Sequence, residues 1–214
     1  MTQGTSGPGS PQLYDAGEEK WPVKIHAGCG SIYLEGYTNV DALGHLTTKR
    51  PDLVEINLAT IDDYYAQKSS YTDIHHIAPR GEYVADVLDD LLHHSLRLRE
   101  KSVNKIVCVQ TFEHLLAEDG ELLLSNWYRA MHRDSVLILS VPDVAATVEM
   151  LLDEETRDFA TQHLAGTRKD EYSYHRTHYT AQTLELLLDA YGFSVKFLDN
   201  FHRYPALVAR AVKV

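Results

Sequence analysis

Lys24 to Asp41 reads KIHAGCGSIYLEGYTNVD: an apolar run, a glycine turn, and a second apolar run that ends on an acid. Val23 to Ala27 is a short apolar run predicted as a strand, and it runs directly into Gly28-Cys29-Gly30. Two glycines at a strand end permit a sharp turn and let a ligand approach the main chain with no Cβ in the way. Tyr37 to Val40 reads as a second short strand ending at Asp41, where an acid suits hydrogen bonding to the two hydroxyls of a ribose. A dinucleotide fingerprint would carry a third glycine at position 33, but Tyr33 stands there. Gly30 and Asp41 lie 11 positions apart. The dinucleotide fold leaves about 20, so Ser31 to Gly36 is a loop or a single turn. Taken alone, the two glycines also fit a plain tight turn, and Asp41 a solvated strand end.

Outward from this stretch, strands and helices alternate. Val87 to Arg99 carries Val87, Leu88, Leu91, Leu92 and Leu96 at helical spacing. Lys105 to Val109 is predicted as a buried strand, Ala117 to His132 as a helix, and Ser135 to Val141 as a strand stopped by Pro142. Helices are expected at Val144 to Leu152 and Ala181 to Tyr191, with Gly192 as a C-cap. Phe193 to Leu198 and Leu207 to Val212 close the chain as an antiparallel hairpin at one sheet edge. The fold class is therefore α/β: a doubly wound, mostly parallel seven-stranded sheet with helices on both faces. Residues 1–20, rich in Gly, Ser and Pro, read as a disordered tail, and 21–214 as one domain. An insertion at 42–82 is expected to hold a strand near Leu53 to Ile56 and a helix near Ile61 to Gln67.

Composition narrows the function classes. The net charge is -11 and no basic face is visible, which argues against nucleic acid as a partner. No apolar run reaches the roughly 20 residues of a membrane span. Only two cysteines occur, Cys29 and Cys108, so a cytoplasmic protein without a disulfide framework is expected.

The opening stretch resembles that of the class I S-adenosylmethionine-dependent methyltransferases, in their small type 11-like subgroup. These show an apolar strand, GCG, a short loop, then Gly-aromatic-x-Asn-Val-Asp. Further matches follow in order: Val84-Ala85-Asp86, Asn104 to Leu115 (NKIVCVQTFEHL), Asn126 to Leu139 (NWYRAMHRDSVLIL), and Tyr179 to Phe193. The resemblance covers roughly residues 23 to 198. It implies a cofactor, S-adenosylmethionine, held by His26, Ala27, Gly28, Cys29, Gly30, Asp41, Asp86, Val87 and Gln110. It departs from the pattern at His26, where many relatives carry an acid. It departs again at Arg133-Asp134-Ser135, which replaces Pro-Gly-Gly and is expected to form a type I turn on Asp134.

Methyl transfer from a sulfonium is an in-line displacement, so the protein positions the acceptor and removes its proton. The resemblance makes His114 the candidate catalytic base, and places His175, His178 and Tyr179 over the substrate. A small-molecule hydroxyl acceptor is expected, with an amine as the alternative. Glu113 reads as a structural acid in the first turn of a helix. The pairs His75-His76 and His93-His94 lack a completing carboxylate spacing, and no metal site is expected. Two rival readings stay open. One is a nicotinamide-dependent oxidoreductase, for which Tyr64 and Lys68 show Tyr-x-x-x-Lys spacing. The other is a catalytically silent cofactor-binding protein.

Overall fold

The computed structural model of the chain describes residues 23–60, 82–198 and 204–214. Seven strands build the main sheet: β1 (Val23–Ala27), β2 (Thr38–Asp41), β3 (Val87–Leu88), β4 (Val103–Val109), β5 (Met131–Pro142), β6 (Phe193–Leu198) and β7 (Ala206–Lys213). Their order is β3-β2-β1-β4-β5-β7-β6. The pairs β1/β2, β1/β4, β2/β3 and β4/β5 are parallel, while β7 runs antiparallel to both β5 and β6. The chain leaves β1 toward one edge and resumes at β4 toward the other. That reversal opens a crevice at the carboxyl ends of β1 and β4, where such sheets bind ligands.

Six helices are seen among the described residues: α1 (Pro51–Asn57), α2 (Leu91–Arg97), α3 (Ala117–Ala130), α4 (Val144–Met150), α5 (Arg157–Ala165) and α6 (Ala181–Ala190). Leu91 of α2, Leu123, Leu124 and Trp127 of α3, and Leu184 and Leu188 of α6 are buried in one core cluster. They pack there against Ile25, Val40, Ile106, Cys108, Leu137 and Leu139 of the strands. Burying such side chains removes roughly 1.5–3 kcal/mol of exposure cost each, which holds the helices on the sheet. A smaller cluster of Leu34, Ala59, Val107, Val109, Ile138 and Val208 forms from the alternate strand positions.

The expected fold class holds, and several element boundaries change. Leu53 to Ile56 is helical, not a strand. Pro51 at its first position suits a helix start, and Leu53 and Asn57 share its buried face. Val87 to Arg99 is not one helix. Val87–Leu88 pairs with Val40–Asp41, and the Asp90 carboxylate then accepts the Leu92 N–H at 2.9 Å, capping α2. Asp134 does not sit in a type I turn: its φ of 63° is left-handed, a conformation Asp tolerates better than most residues. The polar segment before Tyr179 holds α5, which periodicity did not reveal. The helix expected at Ile61 to Gln67 and the tail at 1–20 lie outside the described residues. No helix among the described residues is long and apolar enough to cross a membrane.

Candidate active site

The rim at the ends of β1 and β2 is built by main-chain hydrogen bonds. Gly28 and Cys29 donate their N–H groups to the Val40 carbonyl at 2.9 and 3.1 Å, folding the glycine turn back onto β2. Gly28 has a φ of +68°, and a Cβ there would sit 2.3 Å from the Thr111 side chain. Only glycine fits between β1 and the segment leaving β4. At Gly30, by contrast, the space a Cβ would enter is open. The Gly30 N–H donates to Asp41 Oδ2 at 2.7 Å, and the Leu43 N–H donates to Asp41 Oδ1 at 3.0 Å. Burial pushes the Asp41 carboxyl above its usual range, while the N–H groups of Leu43, Gly30 and Ala42 pull it back down.

Behind this rim lies a buried polar network centred on Asn39. Its Oδ1 accepts the Leu34 N–H, and its Nδ2 donates to the carbonyls of Leu34 and Tyr37. That orientation makes Asn39 Oδ1 an acceptor, so His26 Nδ1 donates to it at 3.0 Å. Burial lowers the His26 pKa to about 4, against the opposing Asn39 bond, so the ring is neutral at pH 7. Asp86 completes the network: it accepts the Tyr33 hydroxyl at 2.9 Å and the Asn39 N–H at 2.8 Å. Burial, with the Asp86 charge and hydrogen bond, raises the Tyr33 hydroxyl to about 12.

The second half of the rim follows β4. Gln110 has a left-handed φ of 52°, donates its N–H to the Ser140 carbonyl and sets Nε2 3.3 Å from Ser140 Oγ. Phe112–His114 then forms a single 3-10 turn. His114 Nδ1 lies 2.9 Å from the Tyr174 carbonyl. A carbonyl only accepts, so Nδ1 carries the proton and Nε2 keeps its lone pair. Burial lowers the His114 pKa, countered in part by the Tyr174 bond. Glu113 is 1% exposed, and neither of its carboxyl oxygens has a hydrogen-bond partner. Burial pushes its carboxyl up to about 8.

A strap from the far side of the chain closes over this turn. Gly166 ends α5 at φ +76°, where a Cβ would lie 2.1 Å from the Ser173 carbonyl. Its absence lets the chain double back, bridging Gly166 to Tyr174. The main-chain carbonyl of Glu113 accepts the N–H groups of Arg176 and Thr177 at 2.8 and 3.1 Å. His175 is thereby set against His114, with ring centroids 4.8 Å apart, and its Nε2 lies 3.9 Å from Glu113 Oε1. Burial and then the neighbouring His114 lower the His175 pKa to about 4. One ligand atom from each of Glu113, His114 and His175 lies within 4.8 Å of the others.

No protein-family model matches the chain, and no curated protein matches it in sequence. Solved structures do match. An O-methyltransferase family protein from Burkholderia thailandensis is 7% identical, with 90% of this chain covering 51% of that one at a TM-score of 0.50. The pyocyanin biosynthetic protein PhzM is 14% identical, with 90% covering 50% at a TM-score of 0.50. The chain spans about half the length of both. A magnesium protoporphyrin IX methyltransferase from Synechocystis with bound SAH is 15% identical, with 90% covering 75% at a TM-score of 0.46. The chain has the Rossmann-like methyltransferase fold.

Within that fold, the residues expected from sequence occupy different situations. Gly28, Gly30 and Asp41 meet at the rim. Ala27 is core, and the Cys29 thiol is buried with its Sγ 3.6 Å from the Val84 carbonyl, so neither side chain faces outward. The His26 ring and the Asp86 carboxylate are engaged inside the Asn39 network, and Val87 pairs with Val40 in the sheet. His114 and His175 come together. His178 is exposed and donates Nε2–H to the Leu164 carbonyl at 2.8 Å. Tyr179 is buried against Phe112 at 5.7 Å, and burial raises its hydroxyl pKa.

Glu113, read from sequence as a structural acid in the first turn of a helix, sits instead on a single 3-10 turn with its carboxyl buried. Sequence reasoning missed His163, whose Nδ1 meets Thr147 Oγ1 at 3.0 Å and whose Nε2 is buried without a hydrogen-bond partner. His163 stacks on Phe159 four residues earlier, the one helical spacing signal α5 offered. His93 and His94 lie on α2, with His94 buried and its pKa lowered by burial to about 4. His75, His76, Tyr64 and Lys68 lie outside the described residues.

Proposed function

We propose that the protein is an S-adenosylmethionine-dependent methyltransferase acting on the hydroxyl of a small molecule. The observation that carries this is the Gly30 N–H to Asp41 bond at the switch point of a methyltransferase-type sheet. The main-chain N–H groups of Gly30 and Leu43 fix one oxygen each of the Asp41 carboxylate, whose remaining lone pairs can meet a diol. The open space at Gly30 leaves room for an adenosine beside it. Gly28, Cys29 and Gly30 would contribute through the main chain, with Gln110 at the neighbouring strand end. Asp86 and Val87 shape the next strand, and the His26 ring holds the loop through Asn39. Bound there, the cofactor supplies a sulfonium methyl open to in-line displacement by the acceptor oxygen.

His114 is the base in this reading. The Tyr174 carbonyl fixes its proton on Nδ1, so Nε2 can take the acceptor's hydroxyl proton as the oxygen forms its bond to the methyl carbon. Burial keeps the ring in the neutral form this requires. His175 and His178, on the strap, would border the acceptor, and Tyr179 supports the strap from the core. The acidic chain, at -11, fits a small acceptor better than a nucleic acid. Cys29 and Cys108, both free and buried, fit a reducing cytoplasm.

Calorimetric titration tests the cofactor: S-adenosylhomocysteine is expected to bind and NADH is not, and the reverse result would install the oxidoreductase reading. Transfer of labelled methyl to a panel of hydroxyl and amine acceptors tests the reaction. Labelling of amines alone would move the acceptor class. Cofactor binding with no labelled product would favour a silent binding protein. His114→Ala is expected to slow turnover by about 10²–10⁴ with cofactor affinity unchanged.

A further inference from the structure

The cluster at the end of β4 holds more chemistry than a single base requires. Glu113 is buried to 1% exposure with both oxygens lacking a hydrogen-bond partner, and its nearest cation-forming atom is His175 Nε2, 3.9 Å away. That distance is too long for a hydrogen bond. A buried carboxyl group left this way is costly, and such groups are found paired or coordinating metal ions. His114 offers Nε2 while its Nδ1–H is held by a main-chain carbonyl, the arrangement that orients a ligating histidine and fixes its tautomer. His175 reaches the cluster from another part of the chain, because Gly166 lets the strap turn tightly and the Glu113 carbonyl takes two N–H groups from it.

We propose that Glu113, His114 and His175 form a binding site for a divalent transition metal of the zinc class. Two imidazoles and one carboxylate, with no sulfur, are a donor set that zinc takes in open three-ligand sites. Calcium and magnesium favour oxygen donors and are poorly served by a site with one carboxylate. The three ligand atoms lie within 4.8 Å of one another. Bonds of about 2.0–2.1 Å to a tetrahedral ion would draw them closer by roughly an ångström. A tetrahedral ion held by these three ligands would keep its fourth position for water or an acceptor atom. The consequence for catalysis rests on the methyltransferase reading. The lone pair that binds the metal is the one assigned to the base, so metal loading is expected to suppress transfer, and chelation to restore it.

The test uses tag-free, metal-stripped full-length protein titrated with cobalt(II) and followed by visible absorption. One equivalent is expected to give the intense bands of a four-coordinate ion, displaced by one equivalent of zinc. Glu113→Gln and His175→Ala are each expected to weaken zinc, measured against a chromophoric chelator, by at least about a hundredfold. Both should still bind S-adenosylhomocysteine, which reports folding and, separately, the cofactor reading. Should a variant fail to fold, zinc-edge X-ray absorption of the wild type decides: two imidazoles and one or two further oxygens are expected. No stoichiometric cobalt or zinc binding, wild-type affinity in a folded variant, or a shell of oxygens alone would overturn the site. S-adenosylhomocysteine failing to bind while cobalt binds would leave the site standing and remove the methyltransferase reading.

Discussion

The two halves of the rim differ in how their polar groups are used. At the ends of β1 and β2, Asp41, Asn39 and Asp86 direct their side chains onto the chain's own backbone. At the end of β4, Glu113 holds two buried oxygens without hydrogen-bond partners, while His114 and the strap's His175 present imidazoles to one another. A region whose polar groups are mostly used internally can bind by shape and by the spare lone pairs of its acceptors. A region with unsatisfied buried groups is where a protein stores reactivity at the expense of stability. The comparison separates a place for holding from a place for reacting.

The largest expected effect would break the first half. Gly28→Ala puts a methyl group 2.3 Å from Thr111 at a φ of +68°. Overpacking and left-handed strain together should cost about 3 kcal/mol of stability and abolish cofactor binding. Urea denaturation and calorimetry would show both. A variant that is fully stable and still binds would mean that the glycine turn is not the holding element.

Acid probes the same half through His26. Above pH 6.5 the ring is neutral in both the folded and unfolded states, so its contribution is flat. Below that, the unfolded chain takes up a proton that folded His26 refuses until about pH 4. Stability therefore falls as pH drops through this window, by up to roughly 3 kcal/mol from this group. Denaturation midpoints followed from pH 7 to 4.5 should decline less steeply in His26→Gln, which does not titrate. Equal slopes would show that the Asn39 network is looser than its geometry indicates.

A smaller effect is expected at Asp41. Asp41→Asn keeps the shape but turns one acceptor into a donor facing a main-chain N–H. Cofactor affinity should fall about tenfold, the value of a charged hydrogen bond, with little change in fold. Unchanged affinity in calorimetry would mean that the carboxylate serves only to order the turn.

The holding half was legible in the sequence because its determinants are local. A strand, two glycines and an acid lie within Val23 to Asp41, and each acts through its own backbone position. Six strands of the seven-stranded sheet followed from the same kind of signal; the edge strand Val87–Leu88 did not. Misreadings arose where a short apolar run fits either period: Leu53 to Ile56 became a helix, and Val87 to Leu88 a strand. The reacting half was only partly legible. His114 stood out, but Glu113 read as a structural acid complementing a helix dipole, and nothing local showed that its carboxyl is buried. His175 lies 61 positions after His114 in the sequence. What joins them is the left-handed Gly166 at the end of α5, a helix whose buried face is only Phe159 and Ala160. No periodic pattern marks so narrow a face.

The smallest expected effect has an unusual sign, and it sharpens the contrast most. Burial raises the Glu113 carboxyl to about 8, against a weaker pull from its own main-chain N–H, and its two oxygens have no well-formed hydrogen-bond partner. Replacing it with a side chain of similar length and no polar atoms removes an unsatisfied group from the core. Glu113→Met should therefore stabilise the metal-free protein by about 1 kcal/mol, read from its denaturation midpoint. Cofactor affinity should be untouched, because nothing at the Asp41 rim changes. Most buried-site substitutions destabilise, so a gain would mark Glu113 as a residue kept for what it binds and not for what it packs. A loss of stability would mean that Glu113 is already well paired, and the two halves of the rim would then be built alike.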